Sequence, residues 1–100
     1  MAQVIWTFGA LQDLDEIAGH IAVDNADAAS RLATRVFAKV KLLESFPELG
    51  RHVPEFSNKV HRELIVAPCR VVYRFKEKTV FIELVIRGER LMREELLQRK

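Results

Sequence analysis

Between Ala29 and Leu43 the apolar residues Ala29, Leu32, Ala33, Val36, Phe37, Val40 and Leu43 keep a strict three-and-four spacing, and Pro47 ends the run. A strand cannot use that pattern, because it turns alternate residues to opposite faces; the segment must be a helix with one apolar stripe. Arg31, Arg35, Lys39 and Lys41 fill the wet side. Proline forbids continuation because it lacks the amide proton and its ring collides with the preceding turn. Such a stripe is stable in water only against a partner surface, so the rest of the chain has to supply one.

One partner precedes it. From Ala10 onward Leu11, Leu14, Ile17, Ala18 and Ile21 recur at helical spacing, while Gln12, Asp13, Asp15, Glu16 and His20 fall elsewhere. Asp24-Asn25 interrupts this pattern and offers side-chain oxygens to the free amides of the second helix, with Asp27 near the positive end of its dipole. The interruption is short, so an antiparallel helix hairpin is expected. Val4, Ile5, Trp6 and Phe8, before Gly9, read as a short first strand.

The segment from Pro47 to Pro54 contains two prolines and Gly50 and is expected to cross the surface irregularly. The period then changes to two. His61–Ala67, Arg70–Phe75 and Thr79–Ile86 are rich in β-branched and aromatic residues and separated by short breaks, which predicts a three-stranded antiparallel meander. Strict alternation puts Val71, Tyr73 and Phe75 on one face with Val80, Ile82, Leu84 and Ile86, ready to meet the hairpin. The other face receives Arg70, Val72 and Arg74 with Phe81, Glu83, Val85 and Arg87. A solvated sheet face does not usually carry so many large apolar side chains, so either a partner or the chain's own tail is expected to cover it. That tail, Glu89 to Lys100, consists almost wholly of strong helix formers and is expected to be a short helix. The expected fold class is α+β, in the order β-α-α-β-β-β: an N-terminal strand, a two-helix hairpin packed on one face of a small antiparallel sheet, and a short C-terminal helix. Residues 1–100 are expected to form one domain.

The net charge is only +2, so any basic function must come from local placement. Cys69 is the only cysteine, which excludes an internal disulfide; with no Cys/His cluster, no metal site is expected. His20, His52 and His61 are far apart and read as surface histidines. No run of about 18 apolar residues is present, so no membrane span and a cytosolic location are expected.

Several segments in this order resemble the RelE/ParE superfamily of type II toxins, and more its ParE branch. They are Trp6-Thr7, Ala10-Leu11-Gln12-Asp13-Leu14, and Leu43-Glu44-Ser45-Phe46-Pro47-Glu48-Leu49-Gly50-Arg51. To these are added Arg62-Glu63-Leu64, Arg70-Val71-Val72-Tyr73-Arg74 and Val85-Ile86-Arg87-Gly88-Glu89-Arg90-Leu91. The chain departs from the family at Cys69, where an aromatic residue is common, and at Glu89, which places a negative charge among positives.

The resemblance implies two functions. ParE-like members inhibit DNA gyrase; RelE-like members cleave messenger RNA on the ribosome. RNA cleavage through the 2′-hydroxyl needs an activated nucleophile, charge stabilisation and an acid for the leaving oxygen. Arg70 is the catalytic candidate for that chemistry, with Lys59 as a neighbour. The only tyrosine, Tyr73, falls on the expected core face and the tail has none, which favours binding over catalysis. Arg70, Arg74, Arg87, Arg90 and Arg93 are therefore the candidate target surface. Val72, Phe81, Val85 and Met92 are the candidate antitoxin surface, an extended or helical segment folding onto it. The implied partners are a cognate antitoxin and gyrase, or alternatively the ribosome and message; a homodimer and a toxin–antitoxin heterotetramer both stay open. A third reading is a homologue that binds antitoxin but has lost activity. Neither leading mechanism requires a cofactor.

Overall fold

The computed structural model describes residues 1–99, so Lys100, the last residue of the expected tail helix, lies outside the described residues. Strand β1 (Gln3–Trp6) leads through Thr7 into helix α1 (Phe8–Ala22), followed by helix α2 (Ala26–Lys41) and a 3-10 turn at Leu42–Glu44. Then come β2 (Arg51–His52), β3 (His61–Val66), β4 (Cys69–Lys76) and β5 (Thr79–Arg87), with a second 3-10 turn at Glu94–Leu97. The strands form one sheet in the order β1-β5-β4-β3-β2.

Local chemistry explains the boundaries. Thr7 Oγ1 accepts from the Ala10 amide at 3.2 Å and donates to the Ile82 carbonyl at 2.8 Å, so one hydroxyl caps α1 and fastens its start to β5. The first strand stops earlier than its apolar residues suggest: Phe8 is already helical and 81% exposed. Asn25 caps α2 by accepting from Ala28 N at 3.0 Å, and Asp27 lies in its first turn, as the sequence leads one to expect. Leu32, Val36, Val40 and Leu43 are buried. Phe37 is half-exposed and instead stacks on Trp6, with ring centroids 5.0 Å apart.

The meander forms in chain order, β3 with β4 and β4 with β5, both antiparallel. Three features differ from the expected sheet. β1 adds to β5 in parallel, so the sheet is mixed. The excursion after Pro47 contributes a two-residue edge strand, β2, paired with Arg62 and Glu63. Between Val72 and Tyr73 the β4–β5 register slips, from Val72 opposite Leu84 to Tyr73 opposite Ile82, leaving Glu83 as the extra residue of a bulge.

That bulge reverses alternation in the second half of β5. Val80, Ile82 and then Val85 pack with Leu14, Leu32, Val36 and Tyr73 in the core under the helices. Leu84 and Ile86, expected there, turn to the opposite face. They form a second core with Val53, Phe56, Val72 and Met92. Leu96 and Leu97 pack on its edge. Phe75, also expected in the helix-side core, is partly exposed near the end of β4. No helix among the described residues is long and apolar enough to cross a membrane.

Among the described residues the tail is a strap with one 3-10 turn, Glu94–Leu97, and not the α-helix its composition suggests. It is held at three points. Met92 is buried in the second core, Glu94 Oε1 accepts from Ser57 N at 2.6 Å and Ser57 Oγ at 2.9 Å, and Arg99 grips Asp13 at 2.7 and 2.8 Å. Asp13 in turn accepts from Val85 N at 3.0 Å, just beyond the bulge. The chain's own tail, together with the loop carrying Val53 and Phe56, thus covers the second sheet face.

Candidate functional site

The second face of the sheet carries two sets of ion pairs. In the first, Glu63 on β3 has a side chain with 0% exposure, yet it is an acid. Its carboxylate accepts from Arg51 Nε at 2.8 Å, Arg70 Nε at 2.6 Å and Arg70 Nη2 at 3.0 Å. The outer side of the Arg70 guanidinium forks onto Glu55 at 2.7 Å through both terminal nitrogens. Arg70 is therefore held between two carboxylates, with hydrogen bonds from all three of its nitrogens. The planar fork suits this bidentate geometry in a way that an ammonium would not.

In the second set, Glu83, the bulge residue, accepts from Arg74 Nε at 3.0 Å and lies 2.8 Å from His61 Nε2. Arg74 also sits over the Phe81 ring, 4.4 Å from its centroid. His61, expected on the surface, is largely enclosed and also contacts Asn58 Oδ1 through Nδ1 at 3.3 Å.

These contacts set proton affinities. Hydrogen bonding from Arg70 holds the Glu55 carboxyl down at about 2. The bonds to Glu55 and then Glu63 drive the Arg70 guanidinium further above its usual range. Burial pushes Glu83 upward, but hydrogen bonds from His61 and Arg74 outweigh it, and the carboxyl ends below its ordinary value. Burial raises the Cys69 thiol, as befits a small hydrophobe in the core, and it raises the Tyr73 phenol. Tyr73 donates to the Pro47 carbonyl and accepts from the Gly50 amide, both at 2.9 Å, so its hydroxyl is committed inside the fold.

The Glu55 and Glu83 carboxyls bind protons less tightly in the folded chain than in the unfolded one, so they contribute stability above the unfolded value near 4.5. The Glu55 share is lost as pH falls from about 4.5 through about 2. Melts followed by circular dichroism across that window should show a steeper drop in Tm for the wild type than for Glu55→Gln. Parallel drops in the two proteins would contradict the assignment.

The five candidate target-surface arginines do not converge on one bare basic patch. Arg70 and Arg74 face away from the helices, as expected, but are paired with internal acids. Arg87 pairs with Glu89 at 2.7 Å. Arg87 and Arg90 reach the rim of one cleft of about 200 Å³ that is also lined by Asp13 and Glu16. Arg90 and Arg93 are exposed, with no ion pair found for either among the described residues. Of the candidate antitoxin residues, Val72, Val85 and Met92 are buried in the chain's own interior and Phe81 is half-buried beneath Arg74. The bulge moved Val85 to the helix side, and the tail closed over Val72 and Met92. Lys59 is exposed on the loop before β3.

Residue reading missed Glu63, Glu55, His61 and the Asp13–Arg99 grip. The first of these left a signal. A two-residue turn at Ala67-Pro68 sets Val66 opposite Cys69, which carries Glu63 opposite Val72 and diagonal to Arg70, within reach of long side chains. Asp13 and Arg99 are 86 residues apart and left none.

Comparison with known proteins gives a consistent picture. The family model described as ParE toxin of the type II toxin–antitoxin system, parDE, matches residues 4–92. The chain is 39% identical over 72 residues to Toxin RelE2 of Caulobacter vibrioides, covering 72% of this chain and 77% of that one. It is 38% identical over 74 residues to Putative toxin Y4kP of Sinorhizobium fredii, covering 72% and 74%. Among solved structures it is similar to a chain of the chromosomal ParDE TA system from P. aeruginosa, with a TM-score of 0.74 and 27% identity over 87% of this chain and 96% of that one.

Proposed function

The chain belongs to the ParE toxin family and is the toxin component of a type II toxin–antitoxin system, and we propose that it acts by binding and inhibiting DNA gyrase while a cognate antitoxin neutralises it. The observation that carries the reading is the state of the groups RNA cleavage would need. The only tyrosine is locked between Pro47 and Gly50. The Arg70 fork is filled by Glu55 and Glu63, so a phosphate would first have to displace a bidentate carboxylate. An arginine so engaged serves architecture better than charge stabilisation at a reacting phosphate. Arg90 and Arg93 at the tail, exposed and without an ion pair among the described residues, are better placed to meet a large acidic or mixed protein surface, with Arg87 beside them.

The test is supercoiling of relaxed plasmid by purified gyrase with increasing amounts of the purified chain. Inhibition is expected, and charge reversal at Arg90 and Arg93 together should raise the concentration required by about tenfold without lowering Tm. Full supercoiling at saturating chain would refute the reading.

A second reading, a ribosome-dependent endoribonuclease, is favoured by the likeness to a relative named RelE2. It requires codon-positioned cuts in translating message that disappear in Arg70→Ala. Uncut message with arrested supercoiling would decide for gyrase.

A further inference from the structure

Asp13 on α1 is a fixed point for the tail. Its Oδ2 accepts from the Val85 amide at 3.0 Å, and its two oxygens take the Arg99 guanidinium at 2.7 and 2.8 Å. Arg99 also donates to the Glu83 carbonyl and passes over Gly9, where a Cβ would stand 2.8 Å from its Nε. The notch admits a guanidinium because residue 9 carries no side chain. Hydrogen bonding to Asp13 raises the proton affinity of Arg99, so the cation is firmly held. Two hollows flank Arg90, of about 200 and about 390 Å³, and both have Asp13 and Glu16 in their walls; Arg99 lines the second. Arg90 thus borders the carboxylate that Arg99 occupies, but it forms no ion pair among the described residues and is exposed. The other acids of the two hollows are weaker traps. Glu89 is paired with Arg87, and Glu16 and Glu95 are exposed, where ordering two long side chains offsets most of the attraction. Asp13 differs, because the Val85 amide fixes it and its side chain is only 16% exposed, which strengthens its field.

We propose that Arg99 is a positioning residue for the target surface: by filling the Asp13 site it leaves Arg90 free to meet an acidic group of the target. The inference rests on the gyrase reading above and deepens it, since Arg90 belongs to the surface assigned there. Arg99 itself need touch nothing of the target. Without it, Asp13 keeps only the Val85 amide as a partner and draws Arg90 inward across the wall they share, so the surface loses a cation. Simple anchoring predicts a different pattern. If Arg99 only tied the tail down, removing the Asp13 charge as well would restore nothing. If Arg99 acts by occupying Asp13, then Asp13→Asn in the Arg99→Ala background releases Arg90, while the amide oxygen of the replacement still serves Val85.

The experiment measures supercoiling of relaxed plasmid by purified gyrase against the full-length chain as wild type, Arg99→Ala and the double variant Asp13→Asn/Arg99→Ala. Arg99→Ala is expected to raise the concentration for half inhibition by about fivefold, the scale of one interfacial arginine. The double variant should return to within about twofold of wild type. Met92 and Glu94 still hold the tail, so both variants should melt within about 5 °C of wild type. Wild-type potency in Arg99→Ala overturns the proposal. A double variant no more potent than Arg99→Ala also overturns it and makes Arg99 an anchor alone; in both cases the gyrase reading stands. A wild-type chain that leaves supercoiling untouched is a separate result, which removes the gyrase reading and the proposal with it.

Discussion

Glu63→Ala is expected to destabilise the fold by about 3 kcal/mol, the lower end of what breaking a buried ion pair costs. The carboxylate is fully enclosed and accepts from two guanidinium groups. Its loss leaves the inner side of Arg70 facing a void with no acceptor. Two features keep the effect near the lower end. Arg70 retains its bidentate grip on Glu55, and Arg51, 60% exposed, is free to turn into water. In a domain of this size about 3 kcal/mol corresponds to a fall in Tm of more than about 10 °C. Glu63→Gln keeps the shape but points an amide donor at guanidinium donors, so it should recover little. The pair Glu63→Met with Arg70→Met should recover much more, because replacing both partners removes the orphaned charge. A denaturant series on the two single variants and the double gives the coupling. Additive losses would mean that the buried pair is not an energetic unit, and a Glu63→Ala protein melting within about 2 °C of wild type would remove the argument altogether.

The same pairs show why some of the fold was readable and some was not. Helix α2 could be read because its signal is repeated: four turns of stripe, a capping asparagine and a terminating proline all agree. The strands of the meander were readable for the same reason, but not the sidedness of β5. Thr79-Val80-Phe81-Ile82-Glu83-Leu84-Val85-Ile86 is apolar at so many positions that either alternation fits, and one bulge at Glu83 exchanges the roles of Leu84, Val85 and Ile86. In the tail, helix propensity differs between residues by only tenths of a kcal/mol. Burial of Met92 and the grips at Ser57 and Asp13 outweigh it, and these come from residues far away in sequence. The candidate site suffered most, since counting arginines on a face does not reveal acids that reach it from other elements. Glu55 comes from a loop, whereas Glu83 stands on the face of Arg74 by alternation alone.

Tyr73→Phe is expected to cost about 2 kcal/mol, although it removes a single oxygen. That oxygen satisfies two backbone groups at once, the Gly50 amide and the Pro47 carbonyl, and a backbone polar group left unpaired inside a fold costs about 1–3 kcal/mol. Gly50→Ala attacks the same junction from the other side and should cost about 3 kcal/mol, at the upper end of overpacking. A Cβ there would lie 2.6 Å from the Glu63 carbonyl oxygen and 2.8 Å from the Tyr73 ring and hydroxyl. Neither contact can be relieved by swinging a flexible side chain. The effect is steric, since no glycine among the described residues has a positive φ. Because the added methyl displaces the hydroxyl that Tyr73→Phe deletes, the double variant should be only slightly worse than Gly50→Ala alone. The junction also holds β2 in place, and β2 supplies the Arg51 that reaches Glu63, so both variants should weaken the Glu63–Arg70 coupling that the denaturant series would give. Equal coupling energies in wild-type and Tyr73→Phe backgrounds would show instead that the loop and the buried acid are held independently.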